Sequence, residues 1–188
     1  MRPLFTLHAG EYLVGQYIEQ KFPKLNVWIP SKDTGIDLLV TNPANSASVS
    51  LQVKLSKDYK KSQAKSKFDQ ELLATGWFTL KREKIAKSAA DFWVFVLVCH
   101  ERKANPHYFV ISPIALLCHL ESVCEKSESY HFYPSIFNDG RILNSRGLNE
   151  SQKSALFGEN LQLGNRDLSG LNDKWDALKQ MVDCSQEA

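Results

Sequence analysis

The chain has 188 residues, 43% of them hydrophobic and 11% aromatic, with a formal net charge of +2. That is enough for one ordinary domain with a sheet covered by helices, and no stretch approaches the roughly 18 apolar residues of a membrane span. Met1-Arg2-Pro3 runs into a helical pattern without an apolar signal core, so the expected location is the cytoplasm.

Residues 7–21 carry apolar side chains at helical spacing and Pro23 ends the pattern, which predicts a first helix. Leu25 to Ile29 alternates as a strand, and Pro30 to Gly35 is turn chemistry. Ile36 to Thr41 and Val49 to Leu55 read as the next two strands, giving a helix followed by a three-strand meander. Lys81 to Ala90 is predicted helical. Asp91 to Cys99 is apolar on both faces and should lie centrally in the sheet. His107 to Ile111 is a further strand, and Ser112-Pro113 opens a helix to about Ser122, with Ser as N-cap. Periodicity fades between Glu125 and Gly170. A helical stripe returns in Leu171, Trp175, Leu178 and Val182. The expected class is α/β (α+β), a central mixed sheet flanked by helices over residues 1–124, with residues 125–188 as a C-terminal helical appendage packed on the same domain.

Two strands carry polar groups that a buried strand should lack. If Gly35-Ile36-Asp37 pairs with Gln52-Val53-Lys54, then Asp37, Gln52 and Lys54 meet at one end of the sheet, because Gln52 and Lys54 share a face and Val53 takes the other. A lysine on a buried side calls for an anion, such as a metal-bound carboxylate or a scissile phosphate. Magnesium takes oxygen ligands and retains waters, so Asp37, the Gln52 amide oxygen and the Val53 carbonyl supply a sufficient protein share. Lys54 would then orient the attacking water or stabilise developing charge. Glu11 on the first helix can bind metal directly or through water; by periodicity alone it is equally an exposed helix carboxylate. Asp33 offers a second carboxylate near the site, or simply forms the turn.

Charge is uneven along the chain. Residues 54–87 hold ten Lys/Arg against four acids, next to the polar strand pair. Such a block attracts a polyanion, although a Lys-rich helix and loop can also be only solvated. Lys57, Lys60 and Lys61 continue from the site strand and are the candidate phosphate contacts. Trp77 and Phe78 are candidates for stacking on bases or wedging a duplex, or for the core. Cys99, Cys118, Cys124 and Cys184 form no C-x-x-C pair, and reduced, mostly buried thiols are expected. The histidines are assigned no role.

Glu11 in a leading helix, Gly35-Ile36-Asp37 opening a strand and Gln52-Val53-Lys54 on the next resemble the PD-(D/E)XK nuclease superfamily over roughly residues 7–112. The resemblance implies a restriction-endonuclease-like core and hydrolysis of DNA phosphodiesters with Mg2+ or Mn2+, in restriction, defence or repair. It places Asp37, Gln52 and Lys54 in the catalytic positions, with Glu11 as the helix acid. Gln52 stands where an acid is usual, which removes one negative charge; glutamine variants resemble the Mrr-like branch. A catalytically inactive DNA- or partner-binding module on the same fold is the alternative, and satisfied sheet-end polar groups in a small interaction protein are a third. Many nucleases cut both strands as symmetric dimers, and the stripe around Trp175 could form that contact or pack on the chain's own core.

Overall fold

The structure, a computed structural model, describes residues 8–32, 34–57, 66–98, 105–157 and 164–183, with the side chain of Lys57 excepted. Chain order is α1 (Ala9–Lys21), β1 (Asn26–Trp28), β2 (Leu38–Thr41), β3 (Ser48–Lys57), α2 (Lys67–Glu71), β4 (Leu72–Thr75), β5 (Phe78–Lys81) and α3 (Arg82–Ala86). There follow β6 (Phe92–Val98), β7 (His107–Ile111), α4 (Pro113–Val123), β8 (Ser129–Phe132), β9 (Pro134–Phe137), β10 (Ile142–Asn144) and α5 (Glu150–Ala155). Two short 3-10 turns, Gly164–Arg166 and Ser169–Leu171, precede α6 (Asp176–Asp183).

The architecture is mixed α+β around a five-stranded sheet of order β1-β2-β3-β6-β7. The meander β1-β2-β3 and the pair β6-β7 are antiparallel, whereas β3 and β6 run parallel. Strand β6, Phe-Trp-Val-Phe-Val-Leu-Val, is central as its two-sided apolar character requires. Its alternate residues feed two cores. Val94 and Val96 join Val14 and Ile18 of α1, Leu38, Val40, Leu51 and Val53, and Leu178 and Met181 of α6. Trp93, Phe95 and Leu97 join Phe78, Leu80, Ile85, Leu116, Leu120 and Phe132 on the opposite face. Ser112 caps α4 by accepting from Ala115 N, with Pro113 in the first turn.

Residues 125–188 are not solely helical, contrary to expectation. Strand β8 pairs with β5, and β9 pairs with both β4 and β10, so these strands complete small sheets begun earlier in the chain. The strands are only three or four residues long, too short for a period to register, and β9 is buried on both faces. The turn joining β9 to β10 bends at Asn138-Asp139-Gly140, where Gly140 takes φ +83°.

Other expectations also shift. The helix predicted for 81–90 stops at Ala86, because the Ser88 hydroxyl takes Ala90 N–H and the Trp93 indole N–H and turns the chain into β6. Phe78 is core, whereas Trp77 is exposed. Cys118 is exposed and Cys124 half-buried, so neither is the buried thiol expected; Cys99 and Cys184 lie outside the described residues. Trp175 is buried against Tyr17 and Tyr108, at ring separations of 5.4 and 6.0 Å, so the C-terminal stripe packs on the chain's own core rather than presenting a dimer face. Among the described residues no helix is long and apolar enough to cross a membrane.

Candidate active site

Asp37 sits one residue before β2. Its N–H donates to Leu51 O at 2.8 Å, which extends the β2–β3 ladder and sets Asp37 opposite Gln52. The Asp37 side chain turns onto β3, where Oδ2 accepts the Val53 N–H at 2.7 Å and the Gln52 Nε2–H. A carboxylate can only accept, so its contact fixes the Gln52 amide with Nε2 toward Asp37 and Oε1 away, on the side of Gly35. The N–H and C=O of one residue in a strand point the same way, so the Val53 carbonyl is also directed past the end of β2 toward Asp37.

Two residues on from Gln52, Lys54 emerges on the same face and its ammonium lies over the Trp93 ring, 5.5 Å from the centroid. Glu11 reaches this region because α1 docks closely on β3: a Cβ at Gly10 would lie 2.9 Å from Leu55 Cβ and 3.2 Å from Val53 Cγ1. Only glycine permits that approach. Glu11 is buried, not the exposed helix carboxylate of the alternative, and its Oε2 accepts the His8 N–H at 3.3 Å at the start of the helix.

Glu11, Asp37, Gln52, Val53 and Lys54 all line one open cleft of about 1080 Å³. The same cleft is lined by Lys81, Lys84 and Lys87, spaced three apart from the N-cap of α3 to its C-cap. These three belong to the basic block already visible in sequence, and their i, i+3, i+6 spacing is the signal that could have singled them out. Lys87 bonds Glu83 at 2.7 Å and holds that carboxyl below its usual range, which moderates the charge of this lysine row. Of the phosphate contacts read from sequence, Lys57 ends β3 but its side chain, together with Lys60, Lys61 and Asp33, lies outside the described residues.

His8 also lines the cleft, but the donors offered by Glu11, Asp37, Gln52 and Val53 are all oxygens: two carboxylates, an amide and a backbone carbonyl. That suits a hard divalent ion such as Mg2+ or Mn2+ and not zinc, copper or iron–sulfur chemistry. No group of three or more His, Cys, Asp or Glu able to hold a metal occurs among the described residues, so a metal here depends on Gln52 and Val53 beside Asp37 and Glu11. No protein-family model, curated protein or solved structure matches this chain.

Proposed function

We propose that the chain is a divalent-metal-dependent endonuclease of the PD-(D/E)XK type that hydrolyses DNA phosphodiesters. The observation that carries this reading is the meeting of Asp37, Gln52, Val53 and Lys54 at one cleft, with the Asp37 carboxylate bonded to two of them and three further lysines lining the same cleft. The antiparallel meander with β6 parallel beside β3, and a helix bringing Glu11 to the sheet, support this reading, with α2, β4, β5 and α3 inserted between β3 and β6.

Asp37, Gln52 Oε1, the Val53 carbonyl and Glu11 are the residues that would hold Mg2+ or Mn2+. When bound, such an ion supplies Lewis-acid polarisation of the phosphate and a more acidic water. Lys54 contributes a charged donor to the scissile phosphate or its attacking water, from a site where charge is only partly screened. Lys81 and Lys84 neutralise flanking phosphates and set the backbone across the cleft. Burial of Asp37 and Glu11 keeps both carboxylates in fixed positions and reduces the reorganisation needed at each turnover.

The Gln52–Asp37 hydrogen bond favours one second reading, a binding module in which the amide satisfies a buried carboxylate and no metal enters. Plasmid incubated with the purified chain in magnesium, in manganese and in EDTA separates the two. The nuclease nicks DNA only with metal, and Asp37→Ala and Lys54→Ala abolish nicking, with DNA affinity nearly unchanged in Asp37→Ala. A folded wild type that binds DNA and never cuts it leaves the binding module.

A further inference from the structure

The β5–β8 ribbon leads away from the cleft with an ordered outer face. Trp77, Thr79 and Lys81 are exposed, while the alternating Phe78 and Leu80 are buried. Register sets Thr79 opposite His131 and Lys81 opposite Ser129; one step past the strand end it sets Trp77 opposite Tyr133. Thr79 and Lys81 line the cleft, and Trp77 follows two residues on, about 7 Å along the strand. The row is therefore continuous with the proposed active site.

Trp77 is 50% exposed, and its ring meets Tyr133 edge-on at 5.7 Å and His131 at 6.5 Å. Its backbone N–H donates to Ser56 Oγ at 2.9 Å, which anchors it to β3. Arg146 places its guanidinium over the Tyr133 ring, 5.4 Å from the centroid. A large half-exposed indole, braced at its edge and set between Lys81 and Arg146, combines an apolar plane with flanking positive charge. That pairing matches a nucleobase and its phosphates better than a peptide. In an intact duplex the base faces are covered by their neighbours, whereas an unpaired base offers one to a ring.

Resting on the nucleic-acid reading of the cleft, we propose that this ribbon binds an unpaired stretch of nucleic acid, with one base stacked on Trp77 and its flanking phosphates on Lys81 and Arg146. The cleft then receives the backbone at a junction between paired and unpaired strand, or on a single strand.

The test measures binding of the full chain in EDTA, where no cleavage intrudes, to a labelled single-stranded oligodeoxynucleotide, its ribonucleotide equivalent and a blunt duplex of the same sequence. Tighter binding to single strands than to the duplex, and quenching of tryptophan emission that is largely lost in Trp77→Ala, are expected. That variant should bind single strands about tenfold more weakly, within the range of one base–aromatic stack, and Trp77→Phe should recover part of the loss. Equal affinity for duplex and single strand, or quenching undiminished in Trp77→Ala, overturns the proposal. The two readings fail separately. Trp77-dependent quenching without metal-dependent cleavage retains the ribbon and removes the nuclease. Metal-dependent cleavage with single-strand affinity unchanged in Trp77→Ala retains the nuclease and removes the ribbon.

Discussion

The ammonium of Lys54 lies 5.5 Å from the centre of the Trp93 ring, although the parallel register of β3 and β6 sets Lys54 opposite Phe95 and Trp93 opposite Gln52. Lys54 therefore leans back by one pair, toward the amide that bonds Asp37. The indole is itself held, since Trp93 Nε1 donates to Ser88 Oγ at 2.8 Å. A cation over a tryptophan face is stabilised by about 0.5–2 kcal/mol, enough to select one lysine rotamer.

Trp93 is thus a positioning residue for Lys54. Replacing it with leucine keeps an apolar side chain in the core but removes the ring face. The expected result is a fall in kcat of about tenfold with KM little changed, and a lower melting temperature from the lost packing. Trp93→Phe, which retains a ring, should recover much of kcat. Steady-state cleavage of a labelled substrate at several concentrations gives both constants. A leucine variant with wild-type kcat would release Lys54 from this control.

Gln52 yields a prediction of opposite sign with and without metal. Its amide donates to Asp37, so Gln52→Glu replaces a donor with a second carboxylate facing the first. In EDTA the variant should be destabilised by about 1–3 kcal/mol, the usual cost of a buried acceptor losing its partner, with like-charge repulsion adding to it. Each kcal/mol lowers the melting temperature by about 2–4 °C in a chain of this size. Magnesium or manganese should restore stability more in the variant than in the wild type, because the extra negative charge strengthens cation binding. Melting curves across a metal titration read the difference. If metal stabilises neither protein, Asp37 and residue 52 do not form a cation site.

The parts of the fold legible in sequence are those in which one local pattern decides the structure. The two-sided apolar run of β6, the Ser112-Pro113 start of α4 and the Asp37/Gln52-Lys54 strand pair are set by residues close in the chain. The missed features need distant partners. Strand β5 alternates for only four residues and is defined by β8, about fifty positions later. The lysine row is visible as charge, yet its place in the same cleft as Asp37 follows from how α3 packs beside the sheet. Glu11 could not be resolved between surface and site because its position depends on the close approach at Gly10, a tertiary fact.

That lysine row has a measurable electrostatic signature. Lys81 and Lys84 line the cleft, and each phosphate they neutralise releases counterions. Lys84→Glu should weaken DNA binding across all sequences alike and reduce the slope of log affinity against log salt by about one. The Lys81→Glu, Lys84→Glu double variant should lower it by about two. Lys24, exposed in the turn between α1 and β1, serves as a control whose reversal should leave the slope almost unaltered. Anisotropy titrations at several salt concentrations give the slope. Equal slopes for Lys84→Glu and Lys24→Glu would place the nucleic acid elsewhere.

Half-buried His119 makes stability depend on pH. Asn144 is fully buried, and its Oδ1 accepts the Tyr133 N–H at 3.3 Å and the Arg146 N–H at 3.2 Å. Its Nδ2 must then be the donor toward His119 Nε2, 3.2 Å away, so that nitrogen is an acceptor and the ring is neutral. Burial pushes the His119 pKa below its ordinary value, and the nearby Arg166 guanidinium pushes the same way; burial also lowers His107, against an opposing pull from Asp173. The folded pKa lies below the unfolded value of about 6.5. Between the two, the unfolded chain holds a proton that the folded chain does not, so stability is full above about pH 6.5 and is lost as pH falls below it. Melting temperature should be flat from about pH 8 to 7 and decline toward pH 5.5. His119→Gln should decline less, because its amide oxygen can accept from Asn144 and does not titrate. A variant as acid-sensitive as the wild type would assign the effect to other groups.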